Sequence, residues 1–252
     1  MIELNKIYNE DCLEGMKRIP DKFADMILCD LPYGQTECKW DCKINLTELW
    51  SHYKRIIKDK GAIVLTASQP FTTTLINSNT KEFKYEWIWI KSKPTGFLNA
   101  KNAPMKKHEN ILVFSKGMTA NGSTNNMSYY PQGLIECSIN KKSKNNSKDI
   151  YSTRPSRNND GYIQKYTGYP CSILEFASEG KTIHPTQKPV ALFEYLIRTY
   201  TKEGELVIDN CVGSGTTAIA CINTNRNYIG FELDKKYYEI ACKRIYELKN
   251  NI

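Results

Sequence analysis

A glycine-rich bend enters this chain so late that its position limits the folds open to it. Leu206-Val207-Ile208 reads as a short buried strand, Gly213-Ser214-Gly215 as a tight turn, and Ala218, Ile219 and Cys221 as members of a following helix. A strand passing directly into a helix needs residues without bulk at the bend, above all where a cofactor packs against it. Gly213, Gly215 and Ala218 also satisfy the looser dinucleotide fingerprint, so a nicotinamide or flavin enzyme is a rival reading. A dinucleotide fold, however, needs most of its sheet after the glycine turn. Here only one strand, Tyr228-Ile229-Gly230-Phe231, and one helix, carrying Tyr237, Ile240, Ala241, Ile245 and Leu248, remain. The other strands must come from the N-terminal side. With Lys6–Asn9 placed beside the Tyr228 strand, the sheet is complete but circularly permuted.

The N-terminal side supplies such strands. Met26-Ile27-Leu28 is a short apolar run closed by Cys29-Asp30-Leu31-Pro32-Tyr33-Gly34. Asp30 therefore stands where a strand leaves the sheet, the edge at which open α/β sheets bind ligands. A carboxylate, a carbonyl beside a proline and an aromatic ring suit a planar base bearing an amino group. A Pro-Tyr turn with a solvated Asp fits these residues equally well. In the permuted order, the Asp30 edge lies beside the Gly213 edge and the two motifs share one cleft. Glu232, at the tip of the Tyr228 strand, is placed to accept from two ribose hydroxyls, which suggests an adenosine-bearing cofactor.

Strands and helices alternate along the rest of the chain, so the class is α/β. Leu13, Met16 and Ile19 predict a helix stopped by Pro20, and Leu46, Leu49, Tyr53, Ile56 and Ile57 predict another ended by Gly61. Ala62-Ile63-Val64-Leu65 is a buried strand, and Pro70 opens a helix through Phe71, Leu75 and Ile76. Glu86–Ile90 and Asn110–Phe114 read as strands around a basic, Pro- and Gly-containing loop from Lys91 to Lys107. From Gly117 to Lys181, Asn, Ser, Lys, Gly and Tyr dominate without a core-forming period. Lys141, Lys142, Lys144, Arg154 and Arg157 in this region suit phosphate contacts, although a plain surface excursion has the same texture. The net charge of +8 fits a polyanionic partner. The N-terminus is no signal peptide, no apolar run approaches a membrane span, and the nine cysteines lack framework spacing. A cytoplasmic location with free thiols is expected. Cys38 and Cys42 have no second pair at finger spacing, so no metal site is expected.

These residues resemble those of the beta-class, circularly permuted DNA amino-methyltransferases. That family has an Asp-Pro-Pro-Tyr tetrad near the N-terminus, a target-recognition region in the middle, and a His-Pro-x-x-Lys-Pro segment introducing its S-adenosylmethionine half. The matching stretches are Asp30 to Tyr33, roughly Gly117 to Lys181, Ile183 to Pro189, Asp209 to Thr217 and Gly230-Phe231-Glu232. Leu31 departs from the first proline of the tetrad, but supplies the same backbone carbonyl. Cys211-Val212 replaces a bulkier apolar pair. The fold implied is a Rossmann-like methyltransferase sheet with residues 1–116 as its catalytic half, a small insertion at 117–181, and 182–252 as its cofactor half.

The resemblance implies transfer of a methyl group from S-adenosylmethionine to the N6 amine of adenine in double-stranded DNA, on a base swung out of the duplex. Asp30 and the Leu31 carbonyl would accept the two amine N–H groups, Pro32 would complete the tetrad, and Tyr33 would stack on the base. Asp209, Cys211, Gly213, Ser214, Gly215 and Thr216 would surround the cofactor, with Glu232 on its ribose and Asp11 or Cys12 near its adenine. Thr186, Gln187 and Lys188 would lie toward its carboxylate, and His184 has a structural part. Family members acting on cytosine N4 commonly carry Ser at the first tetrad position, so Asp30 favours adenine. An N4-cytosine enzyme, an inactive DNA-binding relative, and a methylase of RNA or of protein glutamine are the alternatives. The family often forms homodimers; a partner restriction enzyme is not readable from the residues.

Overall fold

The computed structural model describes residues 2–32, 44–141, 162–178 and 187–250, without the side chains of 140, 141 and 162. One compact unit comprises Met1–Tyr130 with Ser172–Ile252, and a second comprises Pro131–Cys171. The first unit is built on an eight-stranded sheet. Its strands are β1 (Lys6–Tyr8), β2 (Ala24–Cys29), β3 (Ile57–Ala67), β4 (Phe83–Thr95), β5 (Lys106–Phe114), β8 (Ile173–Glu175), β9 (Leu206–Asp209) and β10 (Asn227–Phe231). The spatial order is β1-β10-β9-β2-β3-β5-β4-β8. Every neighbouring pair is parallel except the two that β5 makes with β3 and β4.

Alternation along each strand divides the core between two helical layers. In β2, Met26 and Leu28 face α4 (Val190–Tyr200), α5 (Thr216–Asn223) and α6 (Lys235–Asn250), where Leu192, Leu196, Ala220 and Ala241 are fully buried. Ile27 and Cys29 face α1 (Cys12–Met16), α2 (Leu46–Ile56) and α3 (Phe71–Ser78), against Met16, Leu49, Tyr53 and Leu75. Burial on both faces explains why the parallel strands read as continuous apolar runs rather than alternating ones.

Three boundaries differ from the periodicity. The first helix ends at Met16, and Ile19 is buried from the following turn. The second ends at Ile56, because Ile57 pairs with Ala24 and the exposed Lys58-Asp59-Lys60 continues as the lead-in of β3 through a bulge. The basic 91–107 loop is shorter than read, since β4 and β5 extend into it to Thr95 and Lys106. The second unit holds an antiparallel pair, β6 (Ile135–Lys141) and β7 (Tyr162–Thr167). It is narrower than the 117–181 stretch: Met127 is buried in the first unit's core, and β8 joins β4.

Tyr200, fully buried at the end of α4, ties that helix to β4. Its hydroxyl accepts from Trp87 Nε1 at 2.7 Å and shares a 3.0 Å hydrogen bond with Tyr85. Tyr200→Phe leaves the buried indole N–H without this acceptor, and should cost about 1–3 kcal/mol in urea unfolding; an unchanged midpoint would contradict that role.

Candidate active site

β2 and β9 lie side by side with Met26 opposite Val207 and Ile27 opposite Ile208. The chain leaves β9 toward β10 on one side and β2 toward β3 on the other, so a crevice opens between their C-terminal ends. Asp30 and the Asp209–Gly215 turn emerge at this switch point.

Asp30 follows β2, beside Thr66 of β3, and Thr66 Oγ1 donates to its Oδ1. Lys188, two residues before α4, donates to Asp30 Oδ2 at 2.6 Å. The same ammonium lies 3.3 Å from Glu109 Oε2 on β5, and Glu109 Oε1 lies 3.3 Å from Lys91 Nζ on β4. Asp30, Lys188, Glu109 and Lys91 thus form a row of alternating charges drawn from four segments. The Lys188 side chain is only 6% exposed, so its charge depends on these carboxylates. Burial works to raise the Glu109 pKa, but Lys188 and Lys91 outweigh it and hold the carboxyl below its ordinary range. Leu31 is buried with the α1–α3 layer, and Pro32 is half-buried.

Asp209 clamps the glycine turn. Its Oδ1 accepts from Cys211 N at 3.0 Å and its Oδ2 from Thr217 Oγ1, so one carboxylate holds both ends of the bend. Burial raises this carboxyl to about 6. Gly213 has φ 55°, and a Cβ there would meet nothing within 4 Å, so space lies open above the turn. Gly215, at φ 89°, is where α6 comes close: a Cβ would stand 3.1 Å from that of Ala241. Ser214 is buried and accepts from Arg244 Nη1 through its carbonyl at 2.6 Å and its Oγ at 3.1 Å. Thr216 is buried at the start of α5. Val212 packs over Gly230, where a Cβ would lie 2.5 Å from Val212 Cγ2.

Glu232, half-buried at the tip of β10, accepts from Gly213 N at 2.7 Å through Oε2 and from Asp234 N at 2.9 Å through Oε1. Burial raises it to about 6 as well. Asp11 is the N-cap of α1, with Oδ1 accepting from Leu13 N at 2.8 Å and Glu14 N at 3.2 Å. Cys12 reaches the turn through Asn210, whose Nδ2 lies 3.6 Å from Cys12 Sγ and 3.4 Å from Cys211 Sγ. Asn210 Oδ1 accepts from the buried Tyr53 hydroxyl, 157 residues away. Gln187 is half-buried beside Lys188. Tyr33, Thr186, His184, Lys142, Lys144, Arg154, Arg157 and the Lys141 side chain lie outside the described residues.

Thr66, Glu109, Lys91, Asn210 and Tyr53 were not among the residues expected from sequence. Asn210 lies inside the Asp209–Thr217 stretch without a role assigned to it, whereas Thr66, Glu109, Lys91 and Tyr53 sit in no recognisable motif and reach the site through tertiary packing alone. The residues at the crevice fit an adenosine-bearing group: an uncrowded glycine turn, and beside it a carboxylate already fixed by two backbone N–H groups.

A switch-point crevice with an acidic strand tip and a glycine turn is where open α/β sheets take nucleoside-bearing ligands. A family model described as DNA methylase matches residues 24–243, and the chain belongs to this N6/N4 DNA methylase family. Type II methyltransferase M.HinfI of Haemophilus influenzae is 31% identical over 98% of this chain and 70% of its own length. M1.MboII of Moraxella bovis is 28% identical over the full length of both. The crystal structure of the M1.HpyAVI–SAM complex is 25% identical with a TM-score of 0.61, covering 95% of this chain and 98% of that one. PvuII DNA methyltransferase (cytosine-N4-specific) shares the fold at a TM-score of 0.66 and 15% identity, over 95% and 85%.

A carboxyl depressed in the folded state stabilises above its unfolded pKa and loses that contribution as pH falls through the folded value. Glu109→Gln should therefore destabilise the protein at pH 7 by about 3 kcal/mol, the cost of stripping a partner from buried charges. The gap to the parent should narrow in urea titrations below the ordinary Glu value of 4.5. A pH-independent gap would contradict the charge row.

Proposed function

We propose that this DNA methyltransferase modifies the exocyclic N6 amine of adenine at specific sites in double-stranded DNA, on a base flipped out of the helix. The observation that carries this reading is the Asp30 carboxylate, held at the end of β2 directly beside the glycine turn that follows β9. The pairing of N-terminal β1 with β10 supports a circularly permuted sheet, and with it the beta class.

S-adenosylmethionine is the cofactor and supplies an electrophilic methyl group on a sulfonium sulfur. The Gly213–Gly215 turn seats it, with Cys211 and Thr216 at either end. Glu232 takes its ribose, Asp11 or Cys12 its adenine edge, and Thr186 and Gln187 its carboxylate. Lys188 shares that carboxylate side by its motif, and its 2.6 Å contact gives it the further task of holding Asp30.

An adenine amine is a weak nucleophile because its lone pair is delocalised into the ring. Asp30 and the Leu31 carbonyl accept its two N–H bonds, drawing the nitrogen toward sp³ geometry and freeing the lone pair for alkylation. Asp30 takes the proton late, since the neutral amine is too weak an acid to lose it first. Pro32 fixes the bend that presents the carbonyl, and Tyr33 stacks on the base. Positioning and electrostatics do most of the work. Lys141, Lys142, Lys144, Arg154 and Arg157 contact phosphates around the target. Relatives named as Type II methyltransferases support a place in a restriction–modification system, and a homodimer accords with the family resemblance.

Labelled S-adenosylmethionine and mixed-sequence DNA, followed by nucleoside analysis, test this directly. N6-methyladenine is the expected product, with Asp30→Ala lowering transfer about 100-fold or more while the fold is retained. N4-methylcytosine alone would defeat the adenine assignment, and undiminished transfer by Asp30→Ala would defeat the site.

A further inference from the structure

β4 and β5 outrun their neighbours. β8 ends opposite Ile90, and β3 ends opposite Asn110. Beyond those residues the two strands continue as a ribbon, through a register shift, to the pair Thr95–Lys106. β4 runs in the same direction as β2 and β3, so the ribbon leaves the sheet from the end that carries Asp30. From the Trp89–Glu109 pair to the Thr95–Lys106 pair β5 advances three residues, about 10 Å, and the turn carrying Phe97 and Leu98 lies beyond that, so the reach exceeds the depth of either DNA groove, about 8 Å.

The tip has an unusual surface. A single turn of 3-10 helix, Phe97–Asn99, follows Gly96 at φ 92°. Phe97 is 79% exposed and Leu98 98% exposed, two adjacent large apolar side chains in water. Around them, residues 91–108 contain five lysines, one histidine and no Asp or Glu. Lys91 faces Glu109 and Lys106 donates to Ser68 Oγ at 2.9 Å, while Lys93, Lys101 and Lys107 are exposed. Scattered exposed apolar residues are ordinary. An apolar pair at the end of a projecting, wholly basic ribbon at the catalytic end calls for a partner that is both apolar and polyanionic.

We infer that Phe97 and Leu98 form a wedge that enters the base stack of DNA beside the target, with Lys93, Lys101 and Lys107 on the flanking phosphates. This rests on the proposed transfer to a flipped base in duplex DNA. Extruding a base leaves a gap whose walls are apolar base faces, and apolar side chains inserted between base steps are an established way of opening a duplex. The wedge lowers the cost of unstacking, whereas the lysines supply affinity without sequence information.

The test uses the full chain and the sequence context that the wild type methylates on plasmid DNA, mapped first. Short duplexes carry that context with the target base either paired or opposite an abasic position. Phe97→Ser/Leu98→Ser should slow single-turnover transfer to the paired duplex about tenfold or more, yet stay within about threefold of wild type where the target has no pairing partner. Affinity for S-adenosylmethionine should not change. Lys101→Ala/Lys107→Ala should weaken binding to all duplexes, and lower the slope of log affinity against log salt by about 2. Unchanged transfer to the paired duplex, or an equal loss on both, would overturn the wedge. So would a double serine variant that turns a dimer into a monomer in sedimentation, marking an interface between copies, or one whose only defect is in binding phosphatidylglycerol vesicles. A wild type that methylates no DNA ends the proposed function itself, and is seen before any variant is made.

Discussion

The parallel pairing of β2 with β9 is the contact on which the site depends. It joins a strand ending at residue 29 to one beginning at residue 206, and no local preference could bring those segments together. What holds them is burial on both faces: Met26, Leu28 and Val207 under one helical layer, Ile27, Cys29 and Ile208 under the other. Parallel strands need covered faces to be stable, and here the covering helices come from both ends of the chain. Once the register is set, the carboxylate after β2 and the glycine turn after β9 must share a crevice.

Electrostatics refine what the sheet positions. Lys188 arrives from the segment before α4 and is nearly buried, which is tolerable because Asp30 and Glu109 stand on either side of it. Glu109 is in turn balanced by Lys91. The row runs across β2, β5 and β4, so the carboxylate at the centre of the proposed chemistry is coupled to the base of the β4–β5 ribbon. At the glycine turn, Asp209 and Glu232 perform a similar task with backbone N–H groups, fixing the turn from within and from the next strand tip. Their raised pKa values reflect the burial that this task demands.

Much of the fold was legible because its signals are local or follow chain order. The runs at Met26, Ala62, Leu206 and Tyr228 each became a strand, and the late glycine bend required a sheet completed from the N-terminal side, as β1 beside β10 does. The end of α2 was misread because Gly61 looks like a helix stop, whereas pairing of Ile57 with Ala24 takes precedence. The extension of β4 and β5 was hidden by the Pro, Gly and Lys of a segment that reads as loop. Within the site, Asp30, Glu232 and the glycines announce themselves through motif and position. Thr66 and Glu109 do not, because an ordinary residue becomes a partner only when the sheet order places it there.

Hydrogen–deuterium exchange in the presence and absence of S-adenosylmethionine and duplex DNA together puts the shared crevice to the most direct test. Concerted slowing of amide exchange is expected in peptides spanning residues 29–31 and residues 209–215, with little change in the outer strand β8. Protection confined to one of the two segments, or absent from both while cofactor and DNA are bound, would contradict the account.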